Sequence, residues 1–214
     1  LGFKGDFMFI KTHHALTKFK DKPFSIEEYC RGYLYILRDP RDVAISWANH
    51  ANISLSESID FLTNDLAATR WNESLSALIP KEVQPALILS SWDKNVNSWT
   101  QNNWKCPKMI IRFEDLVYDK ENMIRKIINF FYKNYKFNSL NLENKINKIM
   151  ETTDFNKLQK NEKEKGFSEA LNGPFFRSGK KDQWTEVLTK DQIKKIEKRF
   201  KKTMLAFGYE LSKE

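Results

Sequence analysis

An α/β fold built on a parallel sheet is the architecture this sequence predicts, and three observations carry it. Short apolar runs alternate with longer stretches of helical periodicity. Tyr33-Leu34-Tyr35-Ile36-Leu37 is apolar throughout, as expected of a strand buried on both faces of a parallel sheet. Gly 7 and Pro 6 among 214 residues are about half the usual share, too few turn formers for an all-β sandwich or barrel. Hydrophobic residues at 41% and aromatics at 14% supply a sizeable core and exclude a wholly disordered chain. No repeat or linker divides residues 1–214, so a single domain is expected.

In chain order, Phe7-Met8-Phe9-Ile10 reads as a buried strand whose end turns polar at Lys11-Thr12-His13-His14. Phe19–Pro23 reads as a loop, and Ser25 with Glu28 has capping-box spacing for a short helix from Ile26. The Tyr33–Leu37 strand runs into Arg38-Asp39-Pro40-Arg41-Asp42. Asp39 is placed to cap a helix reaching Ala51, and Pro40 occupies the first helical position, where a missing N–H costs nothing. Ser54, with Glu57 three residues on, caps the next helix, to Thr63. Leu89, Trp92, Val96 and Trp99 recur at spacings of three and four, which predicts a helix from Pro85 to Asn103. Met109–Phe113 is a third strand, closed by Glu114-Asp115. A helix rich in Ile and Phe covers Lys120–Tyr132, and Leu142–Thr152 is amphipathic. Asn161–Gly179 is irregular. Thr189 caps a last helix ending near Phe207, with Gly208 suited to its C-terminus.

Lys+Arg 36 against Asp+Glu 28 gives a net charge of +8, which admits nucleic acid, an acidic membrane face or a small anionic ligand. There is no zinc-finger spacing, RNA-binding signature or basic region with heptads, and the lysines spread over polar helix faces. Cys30 and Cys106 lack metal-ligand spacing, so free thiols in a reducing, cytoplasmic setting are expected. No segment approaches the ~20 apolar residues of a bilayer span. The chain opens Leu1-Gly2-Phe3 without Met or a signal-peptide pattern, so further sequence is expected upstream.

In open α/β sheets, ligands bind beyond the carboxyl ends of the strands. Two such ends are loaded here. At Arg38–Asp42 a cation faces a helix N-terminus, whose unpaired N–H groups and dipole favour a phosphate, with Ser46 adding a hydroxyl. A plain Arg–Asp surface pair is the alternative. At the other end, His13 is suited to take a proton from a hydroxyl and Lys11 to stabilise developing negative charge. A structural strand-end histidine is the alternative there. Phe175-Phe176-Arg177-Ser178-Gly179-Lys180-Lys181 reads as an ordered anion-binding loop or as a flexible basic one.

The order of these pieces resembles the sulfotransferases that use 3′-phosphoadenosine-5′-phosphosulfate, from Phe9 to about Thr189. Phe9-Ile10-Lys11-Thr12-His13 is similar to the family's catalytic-histidine strand. Tyr35-Ile36-Leu37-Arg38-Asp39-Pro40-Arg41-Asp42-Val43-Ala44-Ile45-Ser46 resembles its 3′-phosphate motif, with Arg and Ser eight apart. Ser91-Trp92 through Trp99 and Ile111–Leu116 match the next helix and strand. Thr152-Thr153-Asp154-Phe155 resembles the adenine-contacting segment, Phe175–Gly179 the second 3′-phosphate loop, and Gln183-Trp184 the segment after it.

The resemblance implies a P-loop NTPase-like three-layer fold, a central parallel sheet flanked by helices. It implies sulfuryl transfer from 3′-phosphoadenosine-5′-phosphosulfate to a hydroxyl or amine of a small acceptor, with no metal and no nucleic-acid partner. His13 would be the general base and Lys11 would stabilise the transferring group. His14 is the other possible base, because adjacent residues on a strand face opposite ways. Arg38, Ser46, Arg177, Ser178 and Gly179 would hold the 3′-phosphate, and Phe113, Thr153 and Phe155 would flank the adenine. Asn52–Pro85, with Phe61, Leu62, Leu66, Trp71, Leu75 and Leu78, would cover the acceptor or simply be core.

The departures have consequences. No Tyr-Pro-Lys-Ser-Gly-like turn for the 5′-phosphosulfate, nor its strand, precedes Lys11, so the chain by itself is expected to be nearly inactive. Ser178 stands where the family has Lys, and Phe113 where it has Tyr. The Lys-Thr-Val-Glu dimer motif is absent, with Trp184–Thr189 in its neighbourhood, and the oligomeric state stays open. Two other readings are a P-loop kinase, which needs a glycine-rich loop and Mg²⁺ ligands, and a basic nucleic-acid module.

Overall fold

The computed structural model describes residues 8–19, 21–70, 86–136, 141–170 and 172–213. Strands β1 (Lys18–Phe19) and β2 (Lys22–Pro23) precede a 3₁₀ turn (Glu27–Tyr29), β3 (Tyr33–Leu37), α1 (Pro40–Ala51) and α2 (Leu55–Thr63). Then come β4 (Ala68–Arg70), β5 (Ala86–Ile88), α3 (Trp92–Thr100), β6 (Lys108–Arg112), α4 (Phe113–Tyr118) and α5 (Lys120–Tyr135). The chain closes with α6 (Leu142–Thr152), α7 (Phe155–Lys165), α8 (Trp184–Val187) and α9 (Lys190–Ala206).

β3 and β6 run parallel, in register from Tyr33 opposite Lys108 to Leu37 opposite Arg112. β1 with β2, and β4 with β5, form small antiparallel ribbons. One face of the parallel pair, carrying Tyr35, Leu37 and Ile110, packs on the core. That core is Ala44 and Ile45 of α1, Ile59 of α2, Trp92 and Val96 of α3, and Ile196, Phe200 and Met204 of α9. Each such large side chain, fully buried, contributes about 1.5–3 kcal/mol.

The helix signals at Asp39, Ser54, Thr189 and Gly208 hold. The Asp39 carboxylate accepts from the Arg41 N–H, Ser54 with Glu57 and Thr189 with Gln192 form complete capping boxes, and Gly208 follows α9 at φ +75°.

Several expectations need correction. Residues 8–13 form no strand: Met8, Phe9 and Ile10 are 66%, 66% and 71% exposed. A strand exists through its ladder, and among the described residues this segment has no backbone partner; the first bond is Ala15 N–H to the Ile88 carbonyl at 2.8 Å. β3 is not covered on both faces either. Ile36 is 55% exposed while its neighbour on the same face, Ile111, is buried, so the cover ends at β6. Ser25 caps nothing: Ile26 precedes the 3₁₀ turn without a side-chain cap. The helix expected from Pro85 begins only at Trp92, because Ala86–Ile88 pair with β4 and Ser90 takes φ +60°. Residues 161–165 are helical, as the end of α7.

Arg41 holds the centre. It is 2% exposed, and its guanidinium meets Asp39 at 2.6 Å and Glu197 of α9 at 2.6 Å. It also donates to the Glu210 carbonyl at 3.0 Å and lies 3.7 Å over the Trp184 ring. Replacing it with alanine leaves two buried carboxylates unpaired. Arg41→Ala should therefore lower unfolding stability by about 3–5 kcal/mol, measured by urea denaturation, whereas Arg125→Ala on the surface should cost under about 1 kcal/mol.

Candidate active site

The Arg38-Asp39-Pro40-Arg41-Asp42 turn divides its charges between two directions. Asp39, Arg41 and Asp42 are buried inward. Burial raises the Asp42 carboxyl above the usual range, against the pull of Arg38 and of the Trp184 N–H, which donates to it at 3.1 Å. Arg38 points the other way. Its Nη2 donates to the Lys180 carbonyl at 3.0 Å and lies 3.5 Å from Asp42, and the guanidinium sits 4.5 Å over the Phe113 ring. Its Nε–H is buried without an acceptor among the described residues. The plain surface pair is thus replaced by a half-buried cation with unused hydrogen-bonding capacity.

The Phe175–Gly179 loop is ordered by α7. The Glu162 carboxylate accepts from the Phe175 and Phe176 N–H groups at 2.6 and 2.9 Å, and Gln159 Nε2 donates to the Phe176 carbonyl at 2.7 Å. Arg177 donates to Gln183 at 3.1 Å. Gly179, at φ +62°, lies so close to the Phe155 ring that a Cβ there would stand 2.5 Å from it. Arg38, Phe113, Phe155, Gly179 and Lys180 are thereby linked by direct contacts. Ser46 is exposed on α1, and Ser178 is half-buried in the loop. The Thr153 hydroxyl bonds back to the Ile149 carbonyl at 2.6 Å. No hydrogen bond or ion pair joins Ser46, Thr153 or Ser178 to Arg38 among the described residues. A cavity of about 500 Å³ behind the loop is lined by Gln159, Glu162, Phe167, Phe176 and Arg177 among others.

The histidine end is anchored by α3. Asn95 Nδ2 donates to the His13 carbonyl at 3.2 Å, and Trp99 Nε1 to the His14 carbonyl at 2.9 Å. The two rings part company there. His14 is buried, stacked on Phe24 at 4.2 Å, with Nδ1 2.6 Å from the Ala15 carbonyl. His13 reaches solvent. Desolvation by the surrounding protein holds its pKa below the ordinary 6.5; Lys11 and His50 push the same way, and Glu169 opposes them. Lys11 is itself engaged by Glu169 at 2.6 Å. One segment ties the two ends together: Glu169 holds Lys11, Asn172 donates to the His50 carbonyl at 3.2 Å, and Phe175 meets the His50 ring edge-on at 6.4 Å. Trp47 and Phe61 stack at 4.9 Å beside His50. Leu62 packs on the main core and Leu66 is 84% exposed, while Trp71, Leu75 and Leu78 lie outside the described residues.

Residues 5–208 match the sulfotransferase domain family. The chain belongs to that family. It is 22% identical over 179 residues to a 3-beta-hydroxysteroid sulfotransferase of Cavia porcellus, covering 81% of this chain and 56% of the relative. It is 21% identical to an amine sulfotransferase of Oryctolagus cuniculus, covering 86% and 58%. With a luciferin sulfotransferase of Photinus pyralis it shares 23% identity, covering 92% and 50%. The chain therefore spans little more than half the length of these curated relatives. Among solved structures it resembles mouse sulfotransferase SULT7A1 complexed with PAP, at TM-score 0.62 and 18% identity, covering 90% of this chain and 65% of that one. A retinol dehydratase in complex with androsterone and PAP aligns at TM-score 0.55 and 20% identity, covering 80% and 46%. These likenesses show a common α/β fold, that of the P-loop NTPase-like sulfotransferases.

Sequence reasoning named Arg38, His13 and the glycine loop but missed the residues that hold them: Asn95, Gln159, Glu162, Glu169 and His50. Of these, only Gln159 and Glu162 carry a sequence signal, a spacing of three on one polar helix face. No group of His, Cys, Asp and Glu suited to a metal occurs among the described residues, and no described helix is long and apolar enough to cross a membrane. Gly179→Ala should cost about 1–2 kcal/mol from the left-handed backbone alone, read by chemical denaturation. The Phe155 overlap adds to that, and Phe155→Leu in the same chain should recover only the added part.

Proposed function

We propose that the complete protein transfers a sulfuryl group from 3′-phosphoadenosine-5′-phosphosulfate to the hydroxyl or amine of a small acceptor. The observation that carries this reading is Arg38, set between the Phe113 ring and the Lys180 carbonyl with a buried Nε–H still lacking an acceptor. A nucleotide 3′-phosphate supplies such an acceptor, and arginine suits a phosphate through charge-assisted bonds. The glycine at 179 lets the loop backbone lie against the Phe155 ring, which a side chain there would push away. Arg38 with Arg177 and the Gly179 backbone would hold the 3′-phosphate, with Ser46 and Ser178 as hydroxyl donors. Phe113, Thr153 and Phe155 would border the base, although Arg38 already covers one face of Phe113.

The donor supplies an activated sulfuryl group. The rest falls to the chain. His13, kept neutral at pH 7 by its surroundings, is suited to take the acceptor's proton, while His14 is committed to its buried stack. Lys11 would exchange Glu169 for the developing negative charge. The relatives' names, a hydroxysteroid, an amine and a luciferin sulfotransferase, support a small hydroxyl or amine acceptor. Trp47, Phe61, His50 and Phe175 offer it aromatic walls.

The 214-residue chain itself should bind the 3′-phosphorylated nucleotide through Arg38. In a thermal melt, 3′-phosphoadenosine-5′-phosphate at 100 times its Kd should add about 2.7 kcal/mol of stability, and 5′-AMP much less. Arg38→Ala should erase the difference. Equal shifts with both nucleotides, or with DNA alone, would overturn the reading.

In the complete enzyme, His13→Asn should lower kcat by about 10²–10⁴-fold. The rate should be flat near neutral pH and fall on the acid side, with a midpoint below 6.5, as His13 becomes protonated. Removing the Lys11 cation lifts one of the charges that depress His13. Lys11→Met should therefore move that midpoint upward, whatever it does to the maximal rate.

A further inference from the structure

Cys30 and Cys106 lie far apart in sequence and side by side in the fold. β3 and β6 begin together: Tyr33 pairs with Lys108, and the Tyr33 N–H donates to the Pro107 carbonyl at 3.1 Å. Just ahead of that point Glu27 draws the two turns together. Its carboxylate accepts from the Cys106 N–H at 3.1 Å and from the Lys105 N–H, while its carbonyl accepts from the Cys30 N–H at 2.9 Å. Glu27 thus holds the backbones of both cysteines, and Cys30 Sγ lies 3.7 Å from the Gly32 carbonyl. Both side chains are partly exposed. Nothing in the proposed transfer reaction uses them. Arg38 and Phe113 follow the opposite ends of the same two strands.

We propose that Cys30 and Cys106 form a reversible intramolecular disulfide when the protein meets hydrogen peroxide, stapling the starts of β3 and β6. The Cys30 thiolate attacks one peroxide oxygen, the O–O bond breaks, and hydroxide leaves, giving a sulfenic acid. The Cys106 sulfur then displaces the sulfenic hydroxyl, which leaves as water with the Cys106 proton. Two thiols lose two electrons in all, and peroxide is reduced to two waters. Burial and the neighbouring Cys30 push the Cys106 thiol up to about 11, which suits Cys106 to the second step as a protonated thiol. A dithiol reverses the bond by exchange.

The test is peroxide treatment of the purified chain followed by intact mass, thiol titration and a non-reducing peptide map. The expected result is a loss of two hydrogens, no free thiol, and one peptide joining Cys30 to Cys106. Because the bond closes a long loop, Tm should rise by up to about 10 °C and return on adding dithiothreitol. Cys30→Ser and Cys106→Ser should each melt like the reduced parent and show no shift with peroxide. Two surviving thiols, oxygen adducts on separate cysteines, or a disulfide-linked dimer in place of the internal bond would each overturn the proposal.

Discussion

A guanidinium with almost no solvent contact sets the frame of this molecule. Taking such a cation out of water costs several kcal/mol unless its hydrogen bonds are met by anions in good geometry. Arg41 meets that demand by drawing in Asp39, Glu197, the Glu210 carbonyl and the face of Trp184. Its partners extend the network: the Asp39 N–H donates to Glu114, and the Tyr209 hydroxyl bonds the same carboxylate. Burial and that neighbouring carboxylate push the Tyr209 phenol well above its usual range, so it stays protonated and can donate. One buried charge thus joins the end of β3, the cap of α1, the start of α4, α8, α9 and the C-terminal tail.

The consequence for chemistry is directional. With Asp39 and Arg41 locked inward, β3 must stop where it does and α1 must start at Pro40. Arg38 is then the one charged residue of that turn left facing the glycine loop. The loop is held in place by the Glu162 carboxylate and the Gln159 amide of α7, together with the packed rings of Phe155, Phe167, Phe175 and Phe176. Glu169 touches Lys11, and the Lys180 carbonyl touches Arg38. Their placement therefore sets the geometry of the His13 and Arg38 ends together.

Most local rules were legible where the interaction spans a few residues, the Ser25–Glu28 box being the exception. Asp39, the Ser54–Glu57 box and the Thr189–Gln192 box could be read because cap and N–H are neighbours in the chain. Rules that need a distant partner failed. Met8–Ile10 have strand composition and no ladder, and Ile36 has core composition and no cover. α7 escaped notice because Phe155 and Leu158 are its only apolar residues and it buries no side chain, so no apolar stripe marks it. Glu27 opens the short 3₁₀ turn and also holds the turn before β6, a role that no local signal carries.

Residue chemistry and its order along the chain were enough to place this protein among the sulfotransferases and to single out Arg38, His13 and the glycine loop. These signals are short, and spacing preserves them. Only the tertiary structure decided which of His13 and His14 faces outward and which of Arg38 and Arg41 keeps a free hydrogen-bonding group. It alone brought Cys30 against Cys106. Those outcomes turn on burial and on partners tens of residues away. A one-dimensional reading sees which groups are present; desolvation and long-range pairing determine which of them remain available.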